Sequence, residues 1–184
     1  MHFLLSSCLV AVVALFSTAC PRKAPPDTVA FVDLTQYAGL WYEIASYPQF
    51  FNEGLVGTTA EYTLMDDGTV EVFNRGFKDD FDGPESAITG VASVKDSETN
   101  AKLDVRFPSV FGGIFPGPYW IIELDDVDYT YAVVSDPRCS TLFILSRTPT
   151  VEQAFLDDLI GRLAARGFDP DRLTMTPQQA PEKD

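Results

Sequence analysis

Gly39-Leu40-Trp41-Tyr42-Glu43-Ile44-Ala45 is the stretch on which the fold turns. It follows a Pro-containing lead and opens the first run that favours a strand. Gly39 has no side chain, so a neighbouring segment can approach the backbone closely there. Trp41 is one of two tryptophans and brings a large apolar body with one N–H donor. Taken alone, the stretch reads as an ordinary strand with a buried tryptophan, because aromatic residues favour strands.

Working outward, short strand-like runs separated by turn residues fill the chain from Thr35 onward. After Trp41 to Tyr47 come Thr58 to Leu64 and the hairpin signal Asp66-Asp67-Gly68, then Thr69 to Asn74. Lys78 to Pro84 is a polar loop. Ile88 to Val94 and Lys102 to Phe107 follow. A loop rich in Phe, Gly and Pro (Pro108 to Pro118) leads to Tyr119 to Leu124. Tyr129 to Val134 and Thr141 to Ser146, joined through Asp136-Pro137-Arg138, complete eight runs. Local connections at near-regular spacing predict an antiparallel meander that closes on itself and so removes its edges. No long helical crossover is present, which disfavours a parallel sheet.

One helix follows the strands. Thr150-Val151-Glu152-Gln153, with Pro149 ahead, reads as a capping box. Val151, Phe155, Leu159 and Leu163 form an apolar stripe, Asp157, Asp158, Arg162 and Arg166 lie largely off it, and Gly167 is a stop. The stripe predicts docking on the outside of the barrel. Residues 177–184 read as a polar, flexible tail.

Composition narrows the function. The 184 residues are 46% hydrophobic, enough for one domain with a core. Thirteen Lys+Arg against 27 Asp+Glu give a net charge of −14, which argues against nucleic acid as a partner. The single histidine is His2, inside a segment expected to be removed. The mature chain would then have no Ser-His-Asp triad, Cys-His pair or histidine-ligated metal. Neither a cofactor nor a metal site is expected, and no catalytic residue is assigned.

Phe3 to Ala19 is apolar and uncharged and ends in Ser17-Thr18-Ala19-Cys20, so residues 1–19 read as a signal peptide. The junction resembles a bacterial lipobox, in which a small residue precedes a cysteine that receives lipid. Thr18 and Ala19 fit; Ser17 departs, since an aliphatic residue is usual there. Cys20 is therefore the expected lipidation site and residues 20–32 its tether, with simple cleavage after Ala19 as the alternative. Lipid on Cys20 would anchor the protein, each buried CH₂ contributing about 0.8 kcal/mol. Should Cys20 stay free, Cys20–Cys139 is the one disulfide the mature chain could form.

Three blocks in order carry a family resemblance. Gly39-Leu40-Trp41-Tyr42-Glu43-Ile44-Ala45 looks like the G-x-W-Y-E-I-A signature of the lipocalins. Phe143-Ile144-Leu145-Ser146-Arg147-Thr148-Pro149-Thr150 looks like the end of their last barrel strand, and Tyr131 to Val134 with Asp136-Pro137 is similar to their seventh strand. The chain resembles the bacterial lipocalins related to apolipoprotein D over about residues 33–176. The resemblance implies an all-β fold: an eight-stranded antiparallel up-and-down barrel with one C-terminal helix packed outside. It also implies that Gly39, Trp41 and Arg147 meet at the closed end in a structural role.

Alternation within strands then nominates a ligand site. Taking Trp41 as inward places Glu43, Ala45 and Tyr47 beside it; Val72 and Asn74 share one face, Leu103, Val105 and Phe107 another. Trp120 and Ile122 share a face with Leu124, and the resemblance favours Trp120 near the mouth. The expected ligand-binding set is thus Glu43, Ala45, Tyr47, Val72, Asn74, Val105, Trp120 and Ile122. The resemblance implies fatty acids or lysophospholipids as ligands, bound without catalysis at the periplasmic face of the outer membrane; a soluble periplasmic or secreted form is the alternative. Phe107, Phe111 and Phe115 could form a flap at the mouth, or rest on a membrane or a second copy, and a homodimer is compatible with either. Two further readings stay open: an interaction module in which the barrel is filled and the Phe-rich loop binds protein, and an enzyme using Cys139, which is expected in a turn outside the barrel.

Overall fold

The computed structural model describes residues 24–107 and 117–179. Order around the opening stretch starts one turn earlier than the strand pattern implies. Asp33 caps a single-turn helix, α1 (Leu34–Tyr37), its carboxylate accepting from the N–H groups of Thr35 and Gln36 at 2.8 and 3.4 Å. Gly39 then turns the chain into the first strand at φ +94°, a backbone conformation that disfavours any residue with a Cβ.

Eight strands follow: β1 (Gly39–Ser46), β2 (Leu55–Leu64), β3 (Val70–Lys78), β4 (Glu85–Val94), β5 (Lys102–Arg106), β6 (Gly117–Leu124), β7 (Tyr131–Ser135) and β8 (Leu142–Ser146). Each pairs antiparallel with the next, and β1 pairs with both β2 and β8, so the sheet closes. Turn chemistry fixes the hairpins. Asp67 accepts from the Thr69 N–H at 2.9 Å beside Gly68 at φ +80°. Asp136 accepts from the Ser140 N–H at 2.6 Å in the β7–β8 turn. A short ninth strand, β9 (Thr174–Met175), adds to β1.

The apolar residues divide into two cores. One fills the barrel and contains Trp41, Tyr62, Val72, Leu103, Ile121 and Leu145. The other lies between the barrel wall and α2 (Gln153–Ala165), where Ile44, Val133 and Ile144 meet Leu156, Leu159 and Leu163. Val151 and Phe155 sit at its margin. The helix starts differently from the capping-box expectation: Glu152 is the N-cap and makes no side-chain cap bond, while the Thr150 carbonyl accepts from Thr148 Oγ1 at 2.8 Å. Arg162 and Arg166 turn back to the wall instead of facing solvent alone. They reach Glu123 at 2.7 and 3.4 Å, and Arg166 also donates to the Ile122 carbonyl at 3.1 Å. Gly167 ends the helix at φ +82°.

The β2–β3 register shifts between Val56 and Thr59, and two further bulges decide the placement of the expected site residues. The β1–β8 register shifts between Glu43 and Ala45, and the β6–β7 register shifts between Ile121 and Glu123. Each extra residue reverses the alternation beyond it. The expected free tail is also corrected at its start. Beyond the last contact of β1 with β2, at Tyr42 and Thr59, the chain's final described segment spans the two strands. Thr176 N–H donates to the Ile44 carbonyl at 3.0 Å, and the Gly57 N–H donates to the Pro177 carbonyl at 2.8 Å. The Gln178 amide donates to the carbonyls of Glu43 and Thr58 at 2.9 and 2.8 Å. Residues through Gln178 therefore belong to the barrel wall. Cys20, the leader, Phe111 and Phe115 lie outside the described residues.

Candidate ligand-binding site

The barrel has a floor built from its opening motif. Trp41 is fully buried and donates from Nε1 to the Tyr37 carbonyl at 2.8 Å. The Arg147 guanidinium lies over the indole, its Cζ 3.8 Å from the ring centroid. From there it donates to the carbonyls of Leu40 at 2.8 Å, Gln36 at 2.7 Å, Ala38 at 3.0 Å, Tyr37 at 3.2 Å and Tyr129 at 3.3 Å. One cation thus joins α1, the start of β1 and the β6–β7 turn. Its planar fork suits that task in a way a lysine could not match. Gly39 is required by its φ of +94° rather than by crowding, since a Cβ there would meet Arg147 Nη1 at 3.5 Å, an ordinary contact distance.

Above the floor the interior is apolar with one line of polar groups. Tyr119 Oη stands 2.8 Å from Tyr37 Oη and 2.8 Å from Tyr62 Oη. Tyr37 and Tyr62 are 4% and 6% exposed. Burial pushes the Tyr62 hydroxyl up to about 12 and holds those of Tyr37 and Tyr119 well above the usual phenol range. All three remain neutral donors at physiological pH. The three rings border a small cavity with Val70, Leu103 and Ile121, about 10 Å³ in volume, close to the minimum for a single water.

Glu43 is the one buried carboxylate of the motif strand, and it faces the barrel side. Its Oε1 accepts from Thr176 Oγ1 at 2.6 Å and Ser46 Oγ at 2.9 Å. Burial raises its pKa above the ordinary 4.5, while these hydrogen bonds pull the other way. Thr176 thereby couples the buried acid to the segment that spans β1 and β2.

Among the expected lining residues, Val72 and Val105 lie in the barrel core, and Val105 borders the cavity. Asn74 follows Val72 on the same face of β3, opposite Ala60. Four residues are placed otherwise. Ala45, Tyr47, Trp120 and Ile122 belong to the core beneath α2, outside the barrel. In β6 the inward positions are Tyr119 and Ile121. Trp120 pairs with Lys102, whose Nζ lies 4.8 Å from its ring centroid. Tyr47 Oη accepts from the Asp169 N–H at 2.6 Å, and Arg172 lies over its ring. Tyr37, Tyr62 and Tyr119, which the strand-by-strand reading passed over, join Glu43 and Asn74 as polar groups on the barrel side. Their signal is the parity of Tyr119 with Ile121.

Toward the open end, Phe107 packs on Gly90; a Cβ there would come within 2.5 Å of the phenyl ring. Cys139 lies outside the barrel, in the β7–β8 turn at φ +55°. It borders a surface groove with Ala24 to Asp27 and Arg166.

An up-and-down barrel whose floor is stoppered by α1 and an Arg–Trp stack, with one helix outside, defines the lipocalin class of fold. The chain belongs to the lipocalin-like domain family, which it matches over residues 32–178. The outer membrane lipoprotein Blc of Vibrio cholerae is 40% identical over 159 residues, covering 86% of this chain and 89% of that protein. Escherichia coli K12 Blc is 37% identical over 162 residues, covering 86% and 88%. Mouse apolipoprotein D is 31% identical, covering 92% and 93%. Among solved structures, insecticyanin from the tobacco hornworm superposes with a TM-score of 0.66 at 20% identity, covering 88% of this chain and 87% of that one. At that identity the likeness concerns the fold.

Proposed function

We propose that the protein binds small hydrophobic ligands within its barrel, without catalysis, in a bacterial cell envelope. The observation that carries this reading is the interior: a closed wall of apolar side chains over a sealed floor, with only a few fixed polar groups. Fatty acids and lysophospholipids are the ligand classes proposed. The relatives called outer membrane lipoproteins support the envelope location, and attachment through Cys20 at the periplasmic face of the outer membrane is part of the proposal. A cavity of about 10 Å³ requires side chains to move before an acyl chain can enter. Phe107, which rests on Gly90 near the open end, is the side chain proposed to give way.

The same small cavity favours a second reading, a filled barrel that engages another protein or a second copy. Phe50 and Phe51, 74% and 56% exposed in the β1–β2 connection, would supply its contact. Displacement of a fluorescent fatty acid from delipidated protein separates the two. Saturable displacement by fatty acid or lysophospholipid supports ligand binding. No displacement by either, with self-association or partner capture lost in Phe50→Ser/Phe51→Ser, supports the filled barrel.

A further inference from the structure

The tyrosine cluster leaves one hydroxyl proton over. Tyr37, Tyr119 and Tyr62 carry three O–H protons, one per phenol. They make two hydroxyl–hydroxyl contacts, Tyr37–Tyr119 and Tyr62–Tyr119 at 2.8 Å each. However those two bonds are polarised, they use two protons, and the third has no acceptor among the described residues. All three rings border the cavity above the floor. An unpaired donor at an apolar cavity is costly and recovers that cost when an acceptor arrives.

We infer that Tyr37, Tyr62 and Tyr119 form a donor site deep in the barrel, and that it selects amphiphiles carrying a neutral oxygen acceptor at the end that enters first. This rests on the ligand-binding reading above. A carboxylate does not suit the position. The Arg147 guanidinium lies over the Trp41 ring with its N–H groups committed to backbone carbonyls. A terminal hydroxyl or carbonyl oxygen meets the spare proton. A plain methyl end leaves it unpaired.

The test compares ω-hydroxyhexadecanoate with hexadecanoate as competitors for a fluorescent fatty acid on delipidated full-length chain. The ω-hydroxy acid is expected to bind about three- to tenfold tighter, the worth of one buried hydrogen bond. In Tyr37→Phe/Tyr62→Phe/Tyr119→Phe, which removes every hydroxyl at constant ring shape, the preference is expected to vanish while hexadecanoate still binds. Equal affinities on the wild type, or a preference that survives in the triple variant, overturn the inference while leaving ligand binding intact. Failure of both acids to displace the probe overturns both. Should the triple variant not fold, a mid-chain hydroxyl isomer serves on the wild type: it must bind more weakly than the ω-hydroxy acid, and equal binding overturns the inference.

Discussion

Replacing Arg147 by alanine tests whether the floor is a structural device. The side chain makes two short charge-assisted bonds, to Gln36 and Leu40 at 2.7 and 2.8 Å, three longer ones, and a stack on Trp41. Arg147 is only partly buried, so each short bond is taken at the low end for a charged donor, about 1.5 kcal/mol. The stack adds about 1 kcal/mol. With the longer contacts omitted, Arg147→Ala should cost about 3–4 kcal/mol. For a chain of this size each kcal/mol corresponds to about 2–4 °C, so the midpoint of thermal unfolding should fall by about 6–16 °C. Arg147→Lys keeps the charge but loses the fork, and should fall in between. Circular-dichroism melts of the three proteins supply the comparison, with fatty-acid displacement run at a temperature where all are folded. Ligand affinity should change less than threefold, because Trp41 separates the guanidinium from the interior. A midpoint drop below about 3 °C, or an affinity loss that tracks the stability loss, refutes the assignment.

Glu43→Gln should raise the melting temperature relative to wild type as pH increases. Burial raises the folded-state pKa of Glu43 above the ordinary 4.5. Its contribution is therefore fully present below that value and is lost as pH rises through the folded pKa. Melts from pH 4 to pH 8 should show the variant gaining on wild type, and a constant or reversed difference would count against a buried acid at this position. Gly90→Ala should cost about 1–3 kcal/mol, because its Cβ would sit 2.5 Å from the Phe107 ring and 2.8 Å from the Arg106 carbonyl. Adding Phe107→Leu should restore only the part owed to the ring; full recovery in urea unfolding would contradict the backbone clash. Truncation after Met175 removes Thr176 and Gln178 and should cost about 1–3 kcal/mol relative to truncation after Gln179. Equal melting points for the two truncations would mean that the terminal segment carries no load.

Strand existence was legible because each hairpin announces itself, through Asp67 with Gly68 and through Asp136 with Pro137. Side-chain direction was legible only where a strand keeps its alternation. Val72 and Asn74 on β3, and Leu103 and Val105 on β5, keep the assignments that period two gives them. Trp120 and Ile122 do not. A bulge between Ile121 and Glu123 carries the parity of Leu124 away from theirs, and a bulge in β1 turns Ala45 and Tyr47 out beneath the helix. Nothing in these residues announces the extra position, since a bulge is settled by how two strands fit. The tyrosine cluster was hidden for a different reason. Tyr37 comes from α1, Tyr62 from β2 and Tyr119 from β6, and only closure brings their hydroxyls together. The Glu123 clamp likewise needs the helix seated before Arg162 and Arg166 find their partner.

The segment that spans β1 and β2 bears on how the chain folds. Gln178 and Thr176 bond to Glu43 across 135 and 133 residues, and Arg147 bonds to Leu40 across 107. The first strand therefore waits for Thr176 and Gln178 before its wall is complete, and for Arg147 before its floor is. Such long-range closure places the barrel among slow folders, on a scale of about milliseconds to seconds. A chain that emerges from a membrane amino end first would hold Trp41 and Glu43 uncovered through that interval, so the motif that finishes the barrel is also the part that stays unprotected longest while it assembles.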